Sequence, residues 1–85
     1  MACFVYILGS ESPDDGGSWG RTYVGWTTDP ERRLAEHNSG TGARSTRGRQ
    51  WRLLYVERYR TRGEAMSREW RLKRDRAFRK RIASV

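Results

Sequence analysis

The sequence predicts a single small α+β domain, a three-stranded antiparallel sheet with helices packed on it, in the order ββαβα plus a basic C-terminal helix. Three observations predict this fold. Three short runs are rich in β-branched and aromatic residues, two stretches open with helix-capping signatures, and glycine-rich segments separate them. At 85 residues the chain has room for one domain, 1–85, with a core over about 2–75 and a basic tail over 76–85. A chain this short buries only ~60–65% of the surface its unfolded form exposes, so its core must be lean. Four Trp and four Tyr suit such a core, because each buries a large area.

Residues 2–8 (Ala-Cys-Phe-Val-Tyr-Ile-Leu) form the first apolar run and read as a strand. Residues 9–20 are turn formers almost throughout and read as a loop, with Glu11, Asp14 and Asp15 making it acidic. Residues 21–27 (Arg-Thr-Tyr-Val-Gly-Trp-Thr) form a second strand, in which Gly25 marks a bulge or a close approach. Asp29 then Pro30 is a helix start, with a capping side chain followed by proline at the first helical position. That helix runs to about Ser39 and stops at Gly40. Residues 40–50 form a basic, glycine-rich loop, and 51–59 return as a third strand, expected to be the best buried. Thr61 and Glu64 fit a capping box, opening a helix over 62–74. Residues 76–83 read as a basic helix or a frayed tail.

Charge narrows the function. Residues 1–43 hold three basic and six acidic side chains, a balance of −3, whereas residues 44–85 hold fifteen and four, a balance of +11. Sixteen of the eighteen basic residues are Arg, whose planar fork matches phosphate oxygens and stacks on bases. A solvated basic surface is the plain alternative, but such segregation favours a polyanion partner. No apolar run approaches the ~20 residues needed to cross a bilayer, no Lys-rich amphipathic helix with a bulky apolar face points to a membrane surface, and Met1-Ala2-Cys3-Phe4 lacks the basic start of a signal peptide. With Cys3 alone there is neither an intrachain disulfide nor a Cys-based zinc site. A cytoplasmic location is expected.

Several side chains could carry chemistry. On a wheel of 100° per residue with Ala65 at 0°, Met66, Trp70 and Leu72 fall at about 100°, 140° and −20°. Glu69, at about 40°, lies inside that apolar arc. A carboxylate turned toward a core needs a partner, which here is either a buried Arg or a hard divalent cation. Arg33 and His37, four apart, share a flank of the first helix. Their ordinary reading is an Arg paired with Glu36 or Glu57 beside a partly exposed His. Tyr6 and Tyr23 can be cross-strand neighbours on one sheet face, either as core aromatics or as working phenols. Gly25, two residues after Tyr23, leaves space through which a phosphate or metal could approach.

The order of these elements is what identifies them. Phe4-Val5-Tyr6, Tyr23-Val24-Gly25, the stretch from Thr27 through Arg33 and His37 to Gly40, Gly42-Ala43-Arg44-Ser45-Thr46-Arg47 followed by Trp51, and Glu64-Ala65 through Glu69-Trp70 and Lys73 stand in sequence. From Phe4 to about Arg74 the chain resembles the GIY-YIG nuclease superfamily. It is similar to the small stand-alone bacterial (YhbQ-like) members and to the branch that cuts flaps and junctions. Phe4 stands where the first motif has glycine.

The resemblance implies a metal-dependent endonuclease that hydrolyses phosphodiester bonds in DNA, with branched or damaged structures as candidate substrates and RNA as an alternative. Glu69 would hold Mg²⁺ (or Mn²⁺), and Arg33 would contact the scissile phosphate. Tyr6 and Tyr23 would flank the nucleophilic water, one of them as general base. His37 would assist as an acid–base or phosphate-binding group, and Gly25 would keep the site open. Relatives usually attach a separate DNA-reading domain, absent from this sequence. Binding would then fall to Arg44, Thr46, Arg47, Arg49, Arg71, Lys73 and Arg74 with the basic tail, or to a protein partner supplying specificity. The rival expectation is a non-catalytic Arg-rich module that binds DNA or RNA with the same fold.

Overall fold

The structure, a computed structural model, describes residues 2–10, 21–46 and 48–83, and for Ser45 the backbone alone. Glu11, Asp14 and Asp15 of the expected acidic loop, Arg47, and the last two residues of the tail lie outside the described residues. The chain forms β1 (Cys3–Ser10), β2 (Thr22–Thr27), α1 (Pro30–Ser39), a short 3₁₀ turn (Arg44–Thr46), β3 (Trp51–Tyr59), α2 (Arg62–Arg74) and α3 (Arg76–Ala83). This is the expected α+β architecture, with the tail folded as a third helix.

β1 outlasts the sequence expectation by two residues. Gly9 and Ser10 look like turn formers, but they pair with Arg52 and Trp51 across β3. Ser10 also donates its N–H to the Arg21 carbonyl at 2.9 Å, and its hydroxyl accepts from Arg21 N–H at 3.0 Å. Pairing on both sides overrides local preference.

The strand order is β2-β1-β3, antiparallel throughout. The expectation that residues 51–59 form the best-buried strand is therefore wrong. β1 takes the middle place, and Val5, Ile7 and Leu8 are fully buried while Leu53 and Val56 of the edge strand β3 are exposed. A central strand is covered on both faces and paired on both edges, and an edge strand is not.

Successive residues of a strand point to opposite faces, and β1 sorts the core accordingly. Cys3, Val5 and Ile7 cluster with Val24, Trp26, Tyr55 and Tyr59, and are covered by Ala65, Leu72, Phe78 and Ile82 of α2 and α3. Tyr6 and Leu8 cluster with Tyr23 and Trp51, and are covered by Leu34 of α1. The helices thus lie on both faces of the sheet.

The helix ends follow their predicted chemistry. The Asp29 carboxylate accepts from Arg32 N–H at 3.2 Å, and α1 closes on Gly40 at φ 87°, where a Cβ would be strained. Thr61 accepts from Glu64 N–H at 3.2 Å and donates to the Glu64 carboxylate at 3.0 Å. On α2 the buried arc is narrower than the wheel implied. Ala65 and Leu72 are buried, but Met66 and Trp70 are exposed. The arc centres on Ala65 because Arg68 turns inward to Glu57 of β3, rotating Met66 and Trp70 outward.

Candidate active site

Tyr6 sits opposite Gly25 across the β1–β2 pair. A Cβ on Gly25 would lie 2.5 Å from the Tyr6 hydroxyl oxygen and 2.7 Å from its Cζ. The space left by the missing side chain, expected to admit a phosphate or a metal, is filled instead by the Tyr6 ring. Glycine is needed there for one phenol to lie across the neighbouring strand. The Tyr23 ring is 6.4 Å from that of Tyr6, centroid to centroid, and 4.9 Å from the imidazole of His37.

His37 is fully buried, not partly exposed as its helix position suggested. Its Nδ1 lies 2.8 Å from Thr46 Oγ1, and its Nε2 lies 3.0 Å from the Tyr6 hydroxyl. The network fixes the tautomer. Thr46 has one hydroxyl hydrogen, which it donates to the Ala43 carbonyl at 2.7 Å. It must therefore accept from His37 Nδ1–H, which leaves Nε2 to accept from the Tyr6 hydroxyl. Burial, then the nearby Arg33 charge, lowers the His37 pKa below its ordinary value and keeps the ring neutral.

Thr46 is likewise fully buried. The sequence reading made it a nucleic-acid contact. Its hydroxyl is engaged by His37 and Ala43, so it supports the imidazole from behind instead of meeting a ligand. Two further supports escaped the sequence reading. A Cβ at Gly42 would lie 2.5 Å from His37 Nδ1, so only glycine lets the loop close over the imidazole. Asn38 bridges to β3 by donating to the Trp51 carbonyl at 3.1 Å and accepting from Trp51 N–H at 2.6 Å. Trp51 Nε1–H in turn donates to the Thr46 carbonyl at 2.8 Å. An Asn at a helix end hints at bridging, but its partner lies 13 residues away.

Arg33 pairs with Glu36 at 2.9 Å, one of the two partners considered; Glu57 goes elsewhere. Arg33 also lies near enough to Tyr6 to influence its phenol, and a hydrogen-bonded chain runs from Tyr6 through His37 and Thr46 to the Ala43 carbonyl. Burial pushes the Tyr6 phenol up to about 12, against the lowering influence of Arg33. Tyr23 is raised too, first by burial and also by the Glu69 carboxylate, with Arg33 opposing. Tyr6 is 2% exposed, whereas Tyr23 is only partly buried and is the phenol that solvent reaches.

Glu69 lies on the flank of α2 away from Arg68. Since Arg68 binds Glu57 of β3 and Arg62 lies over the Trp26 ring of β2 at 5.3 Å, that flank is the β2 side. Its side chain is 21% exposed and lies 3.9 Å from Lys73. Among the described residues no buried Arg pairs with it. Among the described residues no cluster of three His, Cys, Asp or Glu side chains could cage a metal. Both His37 nitrogens are engaged, so among the described residues near the two phenols Glu69 is the group that could hold a metal. One carboxylate fits a hard, largely hydrated ion such as Mg²⁺, which completes its shell with water and substrate phosphates.

The predicted contact residues are dispersed. Arg44 and Arg49 are exposed on the loop after α1, the former in the turn that carries Thr46. Lys73 stands beside Glu69, and Arg74 covers the Trp70 ring at 4.1 Å. Arg71 turns to the opposite flank, toward Ser67. No helix among the described residues is long and apolar enough to cross a membrane.

Residues 2–82 match the GIY-YIG catalytic domain. The chain is 52% identical over 71 residues to a UPF0213 protein of Haloquadratum walsbyi, covering 82% of this chain and 72% of that one. It is 51% identical over 55 residues to a UPF0213 protein of Halobacterium salinarum, covering 64% and 71%. The solution NMR structure of a UPF0213 protein from Bacillus halodurans superposes with a TM-score of 0.52 at 37% identity, over 99% of this chain and 84% of that one.

Proposed function

The chain belongs to the GIY-YIG family, and from that premise we propose that it is a divalent-metal-dependent endonuclease hydrolysing phosphodiester bonds in DNA. The observation that carries the reading is the clustering of Tyr6, Tyr23 and His37, with ring centroids of the two phenols 6.4 Å apart and of Tyr23 and His37 4.9 Å apart, on a site whose phenols both feel the charges of Arg33 and Glu69.

The two phenols divide the labour. Tyr6 is buried and tied to His37, so it forms a fixed wall beside Arg33, which Glu36 holds at 2.9 Å. An Arg held in this way meets the phosphate already oriented, which is where preorganised charge is most effective. Tyr23 is the solvent-facing phenol and receives the nucleophilic water. As the new P–O bond forms, the water proton passes to the Tyr23 phenolate; the P–O bond to the departing oxygen breaks, and solvent protonates that oxygen. The phenolate is favoured by Arg33 and disfavoured by burial and by Glu69. Glu69 would hold a divalent ion, which would offset the last of these and supply Lewis-acid stabilisation of the phosphate.

His37 stays neutral and acts through Tyr6 as a positioning residue. The exposed arginines of the second half bind backbone phosphates without reading sequence. Branched or damaged DNA, selected by shape, is the substrate class we propose.

The test is cleavage of linear, flap and four-way DNA in Mg²⁺ and in EDTA, by wild type, Tyr23→Phe and Tyr6→Phe. Metal-dependent cutting is expected. Tyr23→Phe should lower kcat by ~10²-fold or more as a proton acceptor is lost, and Tyr6→Phe should raise KM as well as lower kcat. Binding without cutting in any metal would establish the non-catalytic alternative instead.

A further inference from the structure

One feature of α2 lies outside the catalytic reading. Met66, Trp70 and Arg74 recur every four residues and form one continuous stripe along the helix. Among the described residues Trp70 is the most exposed large apolar residue, at 58%, and Met66, with Val56 of β3, is 44% exposed. The Arg74 guanidinium lies 4.1 Å from the Trp70 ring centroid, covering part of the ring and leaving more than half of the residue to solvent. The stripe runs outward from the flank that carries Glu69 and Lys73. The other carboxylate of α2, Glu64, is engaged at the Thr61 cap.

We propose that the Met66–Trp70–Arg74 stripe is a stacking platform for an unpaired base, which makes single-stranded nucleic acid beside the cut site the preferred substrate class.

A nucleic-acid strand alternates flat apolar bases with phosphates, and the stripe with its neighbours offers the complement of both. Trp70 presents a π-face, while Lys73, Arg74 and Arg62 supply positive charge along the same side of the helix. Stacking on an aromatic ring is available to every base, but only when that base has left its own stack. In a duplex both base faces are hidden, so an exposed Trp on a convex helix has nothing to stack on. Spacing agrees with this. Glu69 and Trp70 are adjacent, and a whole helix turn rises only ~5.4 Å. A phosphate drawn to Lys73 or to a cation that Glu69 would hold, and a base held at Trp70, would thus belong to the same or the next nucleotide. A protein partner is a poorer match, because the apolar area is two side chains wide and set among cations.

The inference rests on the nuclease reading only in taking the partner to be a nucleic acid. The test separates the two, because it measures binding in EDTA, where no cutting is needed. Fluorescence anisotropy is followed on a labelled oligothymidylate and on a hairpin duplex of equal charge, with wild type, Trp70→Ala and Trp70→Phe. Trp70→Ala should weaken oligothymidylate binding about 10-fold, the size of one lost base–aromatic stack. Duplex affinity should change less than twofold, and Trp70→Phe should keep most of the wild-type affinity for both. The oligothymidylate should also quench wild-type tryptophan fluorescence, and quench Trp70→Phe distinctly less. The ring is exposed, so the melting temperatures should coincide. Equal loss on both probes, or no loss on the single strand, would overturn the platform and leave the nuclease reading standing. A wild-type protein that binds neither probe would overturn both.

Discussion

The two faces of the sheet carry the same residue types arranged to opposite ends. On the face under α2 and α3, Tyr55 and Tyr59 both donate to Glu57, and Arg68 grips the same carboxylate with two N–H bonds, at 2.9 and 3.2 Å. Burial alone would raise the Glu57 carboxyl, but Arg68 and the two phenols hold it at about 2. Every group there is committed. On the face under α1, Tyr6 and Tyr23 also share an Arg with a carboxylate nearby, but the phenols do not reach that carboxylate. Glu69 is left with Lys73 at 3.9 Å. One cluster closes its charges on each other and braces β3 to α2. The other commits Arg33 to Glu36 but leaves Glu69 with a long contact to Lys73 and Tyr23 open to solvent. A carboxylate by a core is informative only once its partners are counted.

The largest expected effect tests this contrast directly. Glu69→Gln should lower cleavage on the order of 10³-fold, because the charge that holds the cation disappears. Melting temperature and DNA affinity should stay near wild type, because the two side chains are close in volume. Glu57→Gln should do the reverse: a stability loss of about 2 kcal/mol, allowing for its partial exposure, with the rate per folded molecule unchanged. Denaturant melts and cleavage assays on the same preparations check both. If Glu69→Gln unfolds the protein or still cuts at the wild-type rate, the contrast collapses.

Gly25→Ala comes next. The new methyl would collide with the Tyr6 phenol, which His37 keeps from retreating. Overpacking of this kind costs ~1–3 kcal/mol, and displacing Tyr6 should also lower the rate by shifting the wall beside Arg33. Gly42→Ala, against His37 Nδ1, should give a similar loss of stability. Thermal melts and kcat values for both variants measure this.

The smallest effect is on pH, and it separates the two faces by window. Glu57 has its pKa depressed on folding, so its contribution is complete above the ordinary 4.5 and is lost as pH falls toward about 2. His37 is also depressed, so the folded state resists its protonation. Its contribution is complete above the ordinary 6.5 and is lost as pH falls below that value. Melting temperature against pH should therefore fall in two acid steps. The upper step should vanish in His37→Gln and the lower in Glu57→Gln.

Binding provides a last measurement. With the basic residues gathered after position 43, affinity for DNA should fall steeply and linearly on a logarithmic salt scale. A flat dependence, or strong preference for one sequence, would point away from backbone contacts.

The sequence by itself determined the elements and their order, because those signals are local. Asp29, Pro30 and Gly40 bound α1, Thr61 and Glu64 open α2, and alternating apolar runs mark the strands within a few residues. It also singled out Tyr6, Tyr23, Arg33, His37 and Glu69, since motif order survives without knowledge of contacts. What it could not reach was decided by residues that meet only in the fold. That β1 rather than β3 is central depends on which edges pair. The burial of His37 depends on Gly42 and Thr46 closing over it, and the direction of its hydrogen bonds on the single hydrogen of Thr46. Gly25 was legible as a close approach, but the identity of the approaching group, Tyr6, was not. The partner of Glu57 lies 11 residues along the chain on another element, beyond any helical or strand periodicity. Periodicity fixes which way a side chain points from its own element, and only packing decides what it meets there.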